Sequence, residues 1–539
     1  MVVRKPHRDE RRWSVSEQHK EQKISGAFGT ISENDVTSRK GLRARFLTLM
    51  AIIGPGLIVM VGDNDAGGVS TYAQAGQNFG YTLLWVLPLL IPVLIINQEM
   101  VARLGAVTGV GHGRLIRERI GRNWGNVSIG SILLLNFLII ITEFIGISLS
   151  MDYFGVSPYI SVPAAVILLF VVTASGSFAR WERFMMLFVA VNLFVVPLVL
   201  LSKPHYAVAI HHSVIPGIRG GATSSAVLLI ISIIGTTVAP WQLYFQQSNI
   251  VDKKITPRWL NYERVDTVLG SFIVVIGASA LMAASAAGLS HHGGVNSFTN
   301  ALGVAKGFSQ HVGHGTGALF AILLLNASVI GAAAVTLASS YALSDLSGSR
   351  QSLNARLRDA KGFFGAFAGL LTVAGIVTLI PGAPLGIITL AVQAMCGLML
   401  PSTTIFVLLL CNDREILGPW VNSKWLNAVA TTIVTVLVVL SVTMMVSTLF
   451  TGINVLKLLR VLSVIAGVGL VIGLPIGLLR SPAKIKYDVN KRDWRTPRLT
   501  LLAPVPKTRA RKLLLRCVGT YLLVAGVLLV VRIVQLATS

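Results

Sequence analysis

The stretch Gly54-Pro55-Gly56-Leu57-Ile58-Val59-Met60-Val61-Gly62-Asp63-Asn64-Asp65-Ala66-Gly67-Gly68 decides the fold. An apolar run on its way across a bilayer stops halfway, at two carboxylates and a glycine pair. A charged carboxylate at that depth costs roughly 3 kcal/mol on insertion scales, so it is retained only where it faces a polar partner, water or an ion. Glycine lets the helix unwind, and unwound backbone is tolerated in a membrane only where it lines a protein-enclosed cavity. A carboxylate at an unwound helix midpoint is how many transporters build a cation site. The alternative at this point is a pore-lining or structural carboxylate in a polytopic protein of another kind.

Composition places that stretch in a membrane. Mean hydropathy is +0.71. Hydrophobic residues make up 53% of the 539-residue chain and charged residues 13%, against about 25% charged in a soluble domain. The net charge of +24 does not point to nucleic acid. The basic residues sit at the ends and between apolar runs, which is the positive-inside pattern. Cys396, Cys411 and Cys517 are the only cysteines, and they imply neither a disulfide framework nor a thiolate metal site. The polar, basic start of the chain lacks the apolar core of a cleavable signal peptide.

Residues 1–47 read as a disordered cytoplasmic basic tail. Apolar spans follow at about 48–76 (broken at Asp63 to Gly68), 81–106, 127–152, 157–175 and 184–203, so that a first repeat occupies 48–205. A second repeat, 222–411, holds spans at about 222–248 (broken at Pro240), 265–288, 314–345, 362–381 and 384–411. Spans eleven and twelve fill 424–479, a basic segment runs from 480 to 512, and a further apolar run at 513–537 is expected to cross once more. The even-numbered loops carry the Lys and Arg excess, Lys253, Lys254, Arg258 and Arg264 among them. That bias puts the N-terminus in the cytoplasm. An integral, multi-pass protein of a prokaryotic plasma membrane is the expected setting.

Spans one and six are both interrupted, the sixth at Thr236-Thr237-Val238-Ala239-Pro240-Trp241-Gln242. Five spans separate them, so they cross the bilayer in opposite senses. Breaks at matching positions of two inverted halves mark the substrate site of an alternating-access transporter. The expected fold is therefore all-α and polytopic: an inverted five-plus-five repeat with broken helices 1 and 6 and additional C-terminal helices.

At this point the residues resemble a known family. Gly54-Pro55-Gly56 through Asp65-Ala66-Gly67-Gly68, then Phe79-Gly80-Tyr81 and Leu83-Leu84-Trp85, are similar to the first span and following loop of NRAMP divalent-metal transporters. Ala102-Arg103-Leu104-Gly105, Thr108-Gly109, Glu143-Phe144-Ile145-Gly146, Pro240, Leu243, Tyr244, Gln393, Pro401, Arg414-Glu415-Ile416-Leu417-Gly418 and Val421-Asn422 continue the likeness in order. The resemblance implies the amino-acid-transporter-like inverted repeat with a cation between spans one and six. It makes Asp65 the main charged ligand, and Gly62 and Thr236 donors of backbone carbonyls. Gln393 becomes an amide ligand.

The departures narrow the substrate. The family's first break reads Asp-Pro-Gly-Asn, and its Asn position is Gly68 here. Its metal-binding Met is Ala239. A thioether favours transition metals. Mg²⁺ takes oxygen ligands and keeps several waters. A wider, sulfur-free, carboxylate-bearing site is the expectation, and the pattern looks like the NRAMP-related magnesium transporter branch. The metal set is thus Asp65, Gly62, Gly68, Thr236, Ala239 and Gln393. Asp63, Thr237, Gln242 and Glu143 stand in a surrounding or pathway role; a hydrated entrance position is the other reading of Asp63. The family's sixth-span histidines are Trp241 and Gln246 here, and a third-span Asp is Ile140. Histidine relays protons near neutral pH and these residues do not, so transport of Mg²⁺, with Mn²⁺ as a second substrate, is expected without obligatory proton coupling.

Two other readings stay open: a proton-coupled Mn²⁺/Fe²⁺ transporter, and an amino-acid or organic-cation transporter of the same fold, since fold does not fix substrate. The histidines of the outer loops (His291, His292, His311, His314) read as solvated loop, because no helix-face spacing brings two of them together. No Walker loop, His-Glu-x-x-His or Gly-x-Ser-x-Gly motif is present, so the chain is not expected to be an enzyme or to hold a resident cofactor. Its partners are the divalent ion and the lipid bilayer.

Overall fold

A computed structural model describes residues 23–32, 35, 41–221, 223–292, 298–450, 452–479, 490–503, 505 and 508–538. Residues 1–22, 33–34 and 36–40 of the N-terminal tail, and Lys484, Lys486 and Lys507 of the basic segment, lie outside these. The chain opens with a two-stranded antiparallel hairpin, β1 (Lys23–Gly26) and β2 (Gly29–Ser32). The first repeat contains α1 (Leu42–Ile52), α2 (Pro55–Val61), α3 (Ala66–Phe79), α4 (Val86–Thr108), α5 (His112–Leu115), α6 (Arg122–Tyr153), α7 (Pro158–Thr173), α8 (Phe178–Val191) and α9 (Val195–Ser202). α10 (Tyr206–Val214) links it to α11 (Ser224–Thr237), α12 (Pro240–Lys253), α13 (Leu260–Leu289), α14 (Ala301–His311), α15 (His314–Ser347), α16 (Lys361–Thr378) and α17 (Leu385–Cys411). Then come α18 (Arg414–Leu417), α19 (Lys424–Leu449), α20 (Val455–Leu479) and α21 (Arg509–Thr538). Among the described residues, ten helical stretches are long and apolar enough to cross a membrane, or eleven with the α1–α2 pair counted as one.

Both interruptions read from the sequence are present, between α2 and α3 and between α11 and α12. The first span holds a second break that the sequence reading lacks. α1 and α2 meet at Ile53-Gly54 with a bend of 58°. Gly54 has φ +151°, a conformation that a residue with a Cβ rarely adopts. The Asp266 carboxylate, on α13, accepts from the backbone N–H of Gly54 at 3.0 Å, Gly56 at 2.8 Å and Leu57 at 3.1 Å. It thus satisfies the free amides that open α2 and opposes its positive dipole end.

Three further expectations are corrected. The tail is not unstructured throughout, because the hairpin buries Ile24 against the helices and α1 begins at Leu42. Arg180 and Arg183 belong to α8 and not to a loop. Lys253 is not a solvated loop cation: it closes α12, is buried, and pairs with Glu182 at 2.7 Å.

Close helix contacts run through glycines. A Cβ on Gly76 of α3 would lie 2.3 Å from Met282 O and 2.9 Å from Ala286 N of α13. Elsewhere the structure joins residues remote in sequence. Arg103 of α4 donates to Trp420 O at 2.5 Å and to Asn422 Oδ1 at 2.6 Å, so two separate stretches of the resemblance meet around one guanidinium. Gly76→Val is expected to lower the thermal unfolding midpoint in detergent, at a cost of about 1–3 kcal/mol from overpacking against rigid backbone.

Candidate functional site

Two helices end, and two begin, where the breaks meet. Asp65 is the N-cap of α3, and its Oδ1 accepts from Gly68 N at 2.7 Å. Asp is favoured there because its oxygen satisfies an orphan amide. The Ala66 amide does not close a turn back to Gly62. It donates instead to Glu143 Oε2 of α6 at 3.1 Å. The Gly62 carbonyl is thereby deprived of the donor a continuous helix would supply. The same reasoning applies in the second break. Thr236 O would receive its bond from residue 240, and Pro240 has no N–H. Its carbonyl is left at the C-terminal, negative end of α11. The first carbonyl is thus freed by a contact from a distant helix, and the second by a local one, Pro240.

The carboxylates cluster. Asp63, Asp65 and Glu143 are 0%, 2% and 0% exposed. Glu143 Oε2 and Asp65 Cβ would lie 2.5 and 3.1 Å from a Cβ placed on Gly331. α15 therefore needs glycine at 331 to pass them. Asp63 is not a hydrated entrance residue. Its Oδ1 accepts from Gln242 Nε2, whose own oxygen accepts from Gln98 Nε2 at 2.8 Å. Asp63 Oδ2, Glu143 Oε1, Thr236 Oγ1 and Gln393 Nε2 are buried with no hydrogen-bond partner among the described residues. Buried polar atoms without partners cost about 1–3 kcal/mol each, and a cation between the breaks would satisfy the oxygens among them.

Gly68 and Gln393 both lie against the first break. A Cβ on Gly68 would sit 3.0 Å from Asp63 O and 3.3 Å from Thr236 Oγ1, and one on Gly67 only 1.5 Å from Gln393 Nε2. Ala239 is the N-cap of α12 and is buried. Thr237 is committed elsewhere, bonding Tyr72 at 2.8 Å and Ile233 O at 2.7 Å, so it bridges helices. The expected wide cavity is not found in this conformation. The void beside the site, lined by Ala66, Ser70, Thr142, Gly146, Asn300 and Gly386 among others, measures about 10 Å³. The space beside Gly68 is already taken by Asp63 O, Thr236 Oγ1 and the Tyr72 ring, the last 3.4 Å from where a Cβ would lie, and the Gln393 amide covers the neighbouring Gly67.

Several residues escaped the sequence reading. Tyr72 and Gln98 carry no local motif and are drawn in only by packing. Cys396, one turn along α17 from Gln393, is fully buried; the i, i+3 spacing from Gln393 was the available signal. Gln246 bonds Thr267 at 2.9 Å and Glu263 at 3.2 Å, one turn below Gln242. Between α13 and α14 the structure stacks His292 on His311 with centroids 4.0 Å apart, contrary to the expectation that no two of these histidines come together. No third ligand joins them among the described residues.

Comparison with known proteins follows the same lines. The family model Nramp, natural resistance-associated macrophage protein-like, matches residues 56–447. The divalent metal cation transporter MntH of Xylella fastidiosa is 28% identical over 435 residues, covering 78% of this chain and 89% of its own length. MntH of Bacillus subtilis is 27% identical over 434 residues, covering 75% and 93%. A crystal structure of the Eremococcus coleocola manganese transporter matches with a TM-score of 0.62 at 21% identity, over 82% of this chain and 96% of that one. At that identity the likeness speaks for the fold.

Gly67→Ala is expected to leave the protein folded, because only a side-chain amide must move, and to weaken divalent-ion binding about tenfold by calorimetry. Adding Gln393→Ala to it is expected to cost little more, the non-additivity of two groups in contact.

Proposed function

This chain belongs to the Nramp family, and we propose that it is an alternating-access transporter of divalent metal cations that carries chiefly Mg²⁺, with Mn²⁺ as a second substrate, and without obligatory proton coupling. The observation that carries this reading is the donor set at the breaks. Asp63, Asp65 and Glu143 supply carboxylate oxygens, and Gly62 and Thr236 supply carbonyls freed from their helices. Ala239 stands where the family's thioether would be. Hard oxygen ligands suit Mg²⁺, and Mn²⁺ accepts the same set. The site is closed around its carboxylates in this conformation. A partly hydrated ion enters when Gln393 swings away from Gly67.

The absence of proton coupling rests on Trp241 and Gln246. Neither side chain titrates near neutral pH. Trp241 is packed at 5.9 Å from Phe245, and Gln246 is held by Thr267. The positive-inside bias puts the hairpin end of the molecule in the cytoplasm of a prokaryotic cell. One observation favours a second reading, a proton-coupled Mn²⁺ or Fe²⁺ transporter. Asp65 and Glu143 lie against one another, an arrangement able to hold a proton, and the named relatives are manganese or divalent-metal transporters.

Uptake into proteoliposomes, followed with internal Mg²⁺, Mn²⁺ and pH indicators, separates the two. Mg²⁺ entry that vanishes in Asp65→Ala, with no accompanying acidification, is the expected result. Mn²⁺ entry without Mg²⁺, or proton entry in step with the metal, would favour the second reading. Ala239→Met is expected to shift selectivity toward Mn²⁺ and Cd²⁺ over Mg²⁺ by about an order of magnitude, through the added soft ligand.

A further inference from the structure

The Ile53-Gly54 break lies at the end of α2 remote from the ion site, and five elements converge on it. Lys253 Nζ, at the last residue of α12, donates to Ile52 O at 2.7 Å, Ile53 O at 3.1 Å and Glu182 Oε1 of α8 at 2.7 Å. The ammonium thus spends its three donors on the carbonyls that end α1 and on one carboxylate. Asp266 of α13 holds the amides that begin α2. A cation on the carbonyl end of one helix and an anion on the amide end of the next clamp the joint from both sides.

The fifth element is the N-terminal hairpin. The backbone N–H of Ala27, in its turn, donates to the second oxygen of Glu182 at 2.5 Å. Gly26 lies so near α1 that a Cβ on it would be 2.2 Å from Ala51 O and 3.1 Å from Lys253 Nζ. Ile24, Glu182 and Asp266 are fully buried, and Lys253 is 2% exposed. Asp35, three residues past the hairpin, is also tethered: Arg258, in the α12–α13 loop, donates to Asp35 O at 3.3 Å and pairs with Asp493. The hairpin lies outside residues 56–447, the part matched by the family model.

We propose that this hairpin is a plug that locks the cytoplasmic gate. α2 and α12 are the two half-helices that carry the breaks, and an ion leaving toward the hairpin end passes between them. They can part only when Lys253 releases Ile52, Ile53 and Glu182. Breaking a buried ion pair without solvation leaves uncompensated charge, a large penalty. Withdrawal of the hairpin admits water to Glu182 and Lys253 and removes that penalty. α2 then swings about Gly54, which has no Cβ to obstruct the joint. The hairpin leaves first, and the gate follows.

Ala27→Pro tests this without removing any side chain from the clamp. Ala27 is the first residue of a two-residue turn and has a negative φ. The turn's backbone conformation admits proline there; proline lacks the N–H that reaches Glu182, and its Cδ stands where that hydrogen pointed, so the turn and the carboxylate must separate. Hydrogen exchange is measured by mass spectrometry on the full-length protein in nanodiscs, with no ion added, and zero-trans uptake is measured in parallel. Exchange over residues 49–61 is expected to rise about tenfold, as a local opening, with α15 unchanged, and the uptake rate is expected to change with it. A variant lacking residues 1–34 is expected to do the same. Exchange over 49–61 within twofold of the parent in both variants, or a rise that spreads to α15, would overturn the proposal. Because exchange is read without any ion, failure of the Mg²⁺ reading leaves this test intact.

Discussion

Three carboxylates buried where helices stop form the constraint on which the rest of the structure depends. Asp63, Asp65 and Glu143 are almost fully removed from solvent, in a setting where a single charge is expensive. The chain offsets that cost with helix ends. Asp65 takes the amides that open α3, and Glu143 takes the Ala66 amide that would otherwise have continued α2 into α3. Once those amides are committed, the helix cannot be continuous. The commitment of the Ala66 amide to Glu143 thus also leaves the Gly62 carbonyl without its helical donor.

The packing of neighbouring helices follows from the same point. α15 passes the carboxylates only because residue 331 is glycine, and α6 passes α3 and α15 only because residue 146 is. Gln393 brings α17 down onto Gly67. The second break has a different cause, the missing N–H of Pro240, yet it delivers the same product, a carbonyl-bearing helix end at Thr236. Two unrelated devices converge on one site because the two spans cross in opposite senses.

The ends of the half-helices away from the site are handled by charge. Asp266 and Lys253 cap opposite sides of the Ile53-Gly54 joint, and Glu182 ties Lys253 to the hairpin. These groups sit at positions where a sequence shows only the first Lys of a basic loop and two acids at the edges of apolar runs. Their pairing is across 71 to 212 residues, a separation at which no local pattern operates.

The sequence by itself determined that the chain crosses a membrane many times and that its first and sixth spans are broken. Those features are local: apolar run length, a carboxylate or a proline inside such a run, and the alternation of basic loops. The tertiary structure alone decided that Asp63 is buried and bonded to Gln242, that Thr237 serves Tyr72, that the Gln393 amide lies over Gly67, and that Lys253 is buried and paired with Glu182 and is not a solvated cation. Each of these depends on which distant helix supplies the partner. A residue's type states what bond it is able to make, and only packing states with whom.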